Sequence, residues 1–251
     1  MIRILTICLF LSGGLSLQGQ NLVDEEGRKT GHWKLEYPNG RTHYEAFFVE
    51  GSPVGEMLRY YEKGGLRARM LFEEEGKRSY ASLFYTSGKP SAEGWYVGQV
   101  KDSVWTYYSD FDGSVRIREP YLEGKLNGVS QSYYPDGKIS EEVEWKENVK
   151  DGAWTQYYKN GNPRLSGHYK DGLLQGSYEV YFSDNTIEIR GTYLDNLSNG
   201  TWRFYDESGK EVYVLEYVNG IPADIEKYEL WFQDSLKNYE VISEPETNVQ
   251  F

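Results

Sequence analysis

Apolar and polar positions alternate along most of this chain in short runs separated by turn residues. Trp33, Leu35 and Tyr37 alternate with polar neighbours, and Tyr44, Ala46 and Phe48 recur at the same spacing beyond the Asn39-Gly40 dipeptide. A period of two is that of a strand with one buried face, and Asn-Gly between two such runs is a hairpin turn. The unit then repeats. A turn residue recurs at Gly40, Gly64, Gly88, Gly113, Gly137, Gly161, Asn185 and Gly209, every 24 residues with a single step of 25. Asn, which stands in for Gly once, is the non-glycine residue that best tolerates a left-handed backbone. Eight residues after each turn position stand Phe48, Phe72, Tyr96, Tyr121, Trp145, Tyr169, Tyr193 and Tyr217, all aromatic in a chain whose aromatic content is 16%. Eleven residues after the turn, Gly51, Gly124, Asn148, Gly172, Asn196 and Gly220 mark a second reversal.

Each repeat is therefore one β-hairpin, its first strand beginning near Trp33, Trp105, Trp154 or Trp202 in the best copies. The pattern predicts an all-β protein, an elongated single sheet of eight tandem hairpins over residues 21–223. One hairpin buries too little to fold alone, so stability must come from rings stacking between neighbours, and the in-register rings read as core rather than as a ligand groove. The second and third repeats are weak copies. Met57 and Ala81 replace Trp, and Ser79 and Ser103 replace the glycine that leads the strand in the third and fourth. A distortion is expected there, and the fourth repeat carries its extra residue around Asp110–Gly113.

From Asp224 the pattern changes. Ile225, Tyr228, Trp231, Phe232 and Leu236 fall at helical spacing, which predicts a short helix over 224–238 that caps the last hairpin's open edge. A polar tail follows from Ser243. At the other end, Arg3, the apolar run Ile4–Leu11 and the small residues from Ser12 to Ser16 predict a secretory signal over residues 1–20, cleaved near Gly19 or Gln20. The single cysteine, Cys8, lies inside that run, so the mature chain is expected to hold together without disulfides. A net charge of −12, spread along the chain, disfavours nucleic acid and anionic membrane as partners, with membrane attachment left to an uncleaved signal.

The segment Gly152–Gly172 reads Gly-x-Trp-x-x-Tyr-Tyr-x-x-Gly followed by an aromatic and a Gly. With its period of 24 it resembles the MORN-repeat variant of bacterial proteins, over Gly31–Gly220. That resemblance implies tandem hairpins and brings no catalytic motif with it; some members bear an antitoxin label, and others are scaffolds.

Chemistry-bearing patterns are sparse. His32, His43 and His168 have no cysteine partners for a zinc site, and Asp110-Phe111-Asp112-Gly113 resembles the start of a calcium loop without the later ligands, so a variant hairpin turn is the expected reading. There is no phosphate loop and no nucleophile elbow, and pairs such as Glu141-Glu142 read as a solvated face. No cofactor is expected. Tyr60, Tyr108, Tyr133, Tyr157 and Tyr205 lie three residues past the Trp position, out of phase with it, and are the candidate partner-binding residues on the opposite face. The function expected is that of a non-enzymatic, secreted or periplasmic module that binds or scaffolds a protein, as a monomer or an edge-paired dimer. The alternatives are an antitoxin or immunity protein that binds a toxin, and a glycan-binding or glycan-processing envelope protein.

Overall fold

The computed structural model describes residues 20–238. The proposed signal, apart from Gln20, and the polar tail lie outside the described residues. Twenty strands, all paired antiparallel, and one α-helix, Ile225–Asn238, make up the fold, which is the all-β class the repeat predicts. The chain divides into two compact units, residues 1–88 and 89–251.

In the first unit Lys29–Glu36, Thr42–Val49, Ser52–Tyr60, Leu66–Glu73 and Arg78–Phe84 each pair with the next in sequence. Leu22–Val23 covers part of the outer edge of the first of these. In the second unit the same meander runs from Pro90–Val97 to Glu211–Val218, each long strand again pairing with its sequence neighbours.

Both reversals follow from local chemistry. The recurrent turn residue has positive φ in every repeat, 78° at Gly40 and 75° at Asn185, the region where a side chain is usually penalised. The carboxylate or amide oxygen just before it accepts the N–H just after it, as Asn39 does from Arg41 at 3.0 Å and Asn160 from Asn162 at 2.9 Å. At the second reversal an amide reaches back to the start of the first strand of its own repeat. The Gly172 N–H donates to the Lys150 carbonyl at 2.8 Å and the Gly220 N–H to that of Ser198 at 2.8 Å.

The aromatic positions line one face. Rings of the eight-residue series meet rings of the Trp series edge to face, with centroids 4.8 Å apart for Tyr96 and Trp105, 5.2 Å for Tyr193 and Trp202, and 5.9 Å for Trp202 and Tyr217, the geometry that aligns positive ring edges with negative faces. Two indoles lie flat on glycine. A Cβ added at Gly94 would stand 2.5 Å from Cδ2 of Trp105, and one at Gly191 2.3 Å from Cδ2 of Trp202. The register slips by two residues at both glycines, and the indole N–H donates to a nearby carbonyl, Trp95 at 2.9 Å or Thr192 at 3.2 Å. In the fifth repeat Ser130 occupies the Trp position. Trp145, the one tryptophan of the eight-residue series, donates its indole N–H to the Ser130 hydroxyl at 2.8 Å.

A single sheet layer has no second layer to cover its rings. Trp105 is fully buried and Trp202 nearly so, while Trp33 and Trp154 are half-buried. The residue four before the Trp position supplies the lid. Lys29 Nζ stands 4.6 Å from the Trp33 ring centroid and 4.9 Å from that of Phe48, Lys101 Nζ 4.8 Å from Trp105 and 4.9 Å from Tyr121, and Lys150 Nζ 4.8 Å from Tyr169. Each lysine stem lies on apolar surface while its ammonium faces ring π-density. The same position holds Ser198 in the last repeat, too short for the task. There the helix takes over. Trp231 packs on Phe204 with centroids 4.7 Å apart, so the helix rests on the ring-bearing face over the last hairpin, where an edge cap was expected.

A second tyrosine ties successive hairpins together. The hydroxyls of Tyr37, Tyr61, Tyr134 and Tyr158 donate to the carbonyls of Tyr60, Phe84, Tyr157 and Tyr181, each 23 residues on, at 2.6–2.9 Å. At the weak copies the connection between the second and third repeats is a 3-10 turn, Glu74–Gly76, with Glu74 and Glu75 at positive φ. Ser79 is buried with ordinary φ, whereas Ser103 adopts the left-handed conformation of the glycine it replaces, φ 58°.

Candidate functional site

The opposite face carries the predicted tyrosines. Tyr108, Tyr133, Tyr157 and Tyr205 lie on first strands of repeats in the second unit and Tyr60 at the same place in the first; Tyr181, which sequence reasoning left out, holds that place on the first strand between those of Tyr157 and Tyr205. They are half-buried rather than exposed. Hydroxyls of the row are engaged on that face. Tyr60 donates to Glu45 at 2.6 Å, Tyr157 to Glu142 at 2.8 Å, Tyr133 to Gln131 at 2.7 Å, and Tyr108 to Glu93. Its hydrogen bond to Glu45, with partial burial and the charges of Glu45 and Glu56, pushes the Tyr60 hydroxyl up to about 12. Burial and then the Glu142 carboxylate raise Tyr157 in the same way. The row is thus a line of rings anchored to polar neighbours, not an open aromatic groove.

The same face is hollowed elsewhere. Val104, Thr106, Arg118, Pro120, Val129 and Gln131 line a depression of about 390 Å³. Three adjacent strands, Val100–Tyr108, Val115–Leu122 and Gly128–Tyr133, place these side chains together. Thr106, Arg118 and Gln131 stand opposite one another across the strands, and Val104 stands opposite Pro120. Because side chains two apart on a strand share a face, the depression has a polar row at Arg118 and an apolar row at Pro120. Val104 is 52% exposed and Val129 48%, a contiguous exposed apolar surface of the kind that marks interaction sites. The Pro120 carbonyl accepts the Asn127 amide at 3.0 Å, which seats the short link before Gly128 against the floor.

The polar row is asymmetric in charge. In the second unit it holds Arg118, Arg190 and Arg203, and the equivalent row of the first unit holds Arg69. Arg69 pairs with Glu56, Arg190 with Glu179 at 2.7 Å, and Arg203 with Glu211 at 2.5 Å. Among the described residues Arg118 has no carboxylate within ion-pair distance; its guanidinium lies 5.5 Å from the Tyr133 ring centroid. Of the predicted tyrosines, Tyr133 is therefore the one joined to the depression.

The turn with the extra residue, which joins Val100–Tyr108 to Val115–Leu122, projects Phe111, which is 90% exposed. Its Asp112 carboxylate accepts the Ser114 hydroxyl at 2.8 Å and the Ser114 amide at 3.0 Å. Those bonds, with Ser109 and the Arg116 charge, pull Asp112 down to about 2. The Asp-Phe-Asp-Gly segment is a hairpin turn.

None of the six lining residues was singled out from sequence. The signal was present one step before the ring positions, where Val104, Pro120 and Val129 are apolar while Ser177, Thr192, Thr201 and Glu216 hold the corresponding places in later repeats.

No curated protein is significantly similar in sequence. Among solved structures, a TarM mutant of S. aureus crystallised with fondaparinux, α-GlcNAc-glycerol and UDP aligns at 11% identity over 63% of this chain and 21% of that chain, with a TM-score of 0.16. The chain thus spans about a fifth of that protein, and the likeness carries no argument. The MORN repeat variant family matches at residues 126–147, 150–171 and 198–219. These are three of the hairpins described above, and their turn and ring positions recur in the other repeats. Those three hairpins are repeats of the MORN repeat variant type.

Proposed function

We propose that this protein is a non-enzymatic binding module that docks a protein partner on the face opposite its ring ladder, around the fourth and fifth repeats. One observation carries the reading: a depression walled by exposed valines, two of whose strands are joined by the turn that bears an almost wholly exposed phenylalanine. The leading twenty residues support export to the periplasm or beyond, where a chain whose one cysteine is Cys8 needs no disulfide.

The test is capture from the native envelope fraction with the wild-type chain and with Val129→Asp as bait. A charge at the centre of an apolar contact leaves an unpaired group on binding and costs several-fold or more in affinity. A partner recovered by the wild type and lost with Val129→Asp supports the reading, and a cognate toxin would be named by the same experiment. Equal recovery by both baits refutes it.

A further inference from the structure

We propose that the depression at Arg118 takes an extended peptide segment bearing one carboxylate side chain and, two residues away, an aliphatic one. This rests on the reading of that face as the binding surface and names what it recognises. Arg69, Arg190 and Arg203, in equivalent rows, all hold a carboxylate of the chain itself. Arg118 alone among these four lacks one, and the ring of Tyr133 orients its guanidinium. A planar guanidinium so placed presents a fork of N–H donors matched to a carboxylate.

The neighbours fix the rest of the ligand. Directly across the strands from Arg118 stand Thr106 and Gln131. Gln131 is already committed, donating to Glu142 at 2.9 Å and accepting from Tyr133. Beyond these two, along the same row, come Glu93, which pairs with Thr106, and Glu142, which pairs with Gln131. Each is two strands from Arg118, about 10 Å away. One compact anion fits between them, and a run of acidic residues is repelled. Pro120 lies two residues from Arg118 on the same strand, with Val104 opposite it and Val129 in the same wall. Side chains two apart on an extended peptide share a face and are about 7 Å apart, the spacing of Arg118 and Pro120. The recognised pattern is acidic-x-aliphatic.

The probe is acetyl-Gly-Glu-Thr-Val-Gly-amide, titrated calorimetrically into the full-length protein. Saturable binding is expected, weakened about tenfold when the peptide Glu is replaced by Gln, when the protein carries Arg118→Gln, and by no more when both changes are combined. Arg118→Lys is expected to fall between, since it keeps the charge and loses the fork. Arg118 faces away from the rings, so tryptophan emission of each variant should match the wild type. Equal affinity for the Glu and Gln peptides, tighter binding of a peptide with three consecutive Glu, or absence of saturable binding overturns the proposal. If Val129→Asp abolishes partner capture while the Glu and Gln peptides bind alike, the binding face stands and its ligand assignment falls.

Discussion

Replacing Gly94 by Ala isolates the contact on which the ring ladder is built. Gly94 does not have positive φ, so the substitution brings no backbone strain of the left-handed kind. What it brings is a methyl 2.5–2.6 Å from Cδ2, Cε2 and Cγ of Trp105, where carbons prefer about 3.5–4.0 Å. The ring must withdraw by about 1 Å, yet it is fully buried and tied by its N–H to the Trp95 carbonyl. Overpacking of a tight site costs about 1–3 kcal/mol, and a weakened hydrogen bond adds about 1 kcal/mol. A loss of about 2–4 kcal/mol is expected, read as a lower urea midpoint by tryptophan emission, with hydrogen exchange over residues 90–122 to localise it. In a Trp105→Leu background, where the flat ring is gone, the same substitution should cost less than about 1 kcal/mol. A loss below about 0.5 kcal/mol in the wild-type background, or an equal loss in both, would refute the reasoning.

Removing one stitch, Tyr134→Phe, deletes a hydroxyl bond to the Tyr157 carbonyl and should cost about 1 kcal/mol, measured as the change in urea midpoint. Truncating Trp231→Ala uncovers Phe204 and should lower the melting temperature and speed exchange in Glu211–Val218 before other strands. Alkaline stability should fall between about pH 10 and 12, because Tyr121 and Tyr178, raised mainly by burial, and Tyr60, raised mainly by Glu45, ionise near 12 when folded and near 10 when unfolded. Their contribution is whole below pH 10 and lost as pH rises through that window; Lys101, lowered by burial, runs the other way. Urea midpoints at pH 9 and at about 11.5 check the sign, and an unchanged midpoint would count against buried tyrosine as the cause.

The repeat was legible because its determinants are local. A residue that must adopt positive φ recurs at a fixed spacing from a ring, and Gly40 through Gly209 announce it whatever packs above them. The covering layer is not local. Lys29, Lys101 and Lys150 read as ordinary surface lysines until the strands bring each beneath two or three rings. The helix pattern was legible over 224–238, but which surface it rests on depended on Ser198 being too short to cover its own repeat. Counting alone puts the candidate tyrosines on the face opposite the ladder, where exposure was expected and they are half-buried. Their hydroxyl partners Glu45, Glu93 and Glu142 lie 15 residues back on another strand, and that pairing fixes how much of each ring remains open. Arg118 was invisible for a different reason. Its distinction is a missing ion pair, and absence has no sequence signature until the partners of Arg69, Arg190 and Arg203 are known.

The lysine lids have a colloidal consequence. Two bare ladder faces would stack on each other as readily as the two sheets of a sandwich, since both present rings at matched intervals. An ammonium laid across those rings must shed water before such stacking can occur, so each lid opposes zippering face to face with another molecule. A chain with these three lysines exchanged for leucine would keep its fold and lose its solubility.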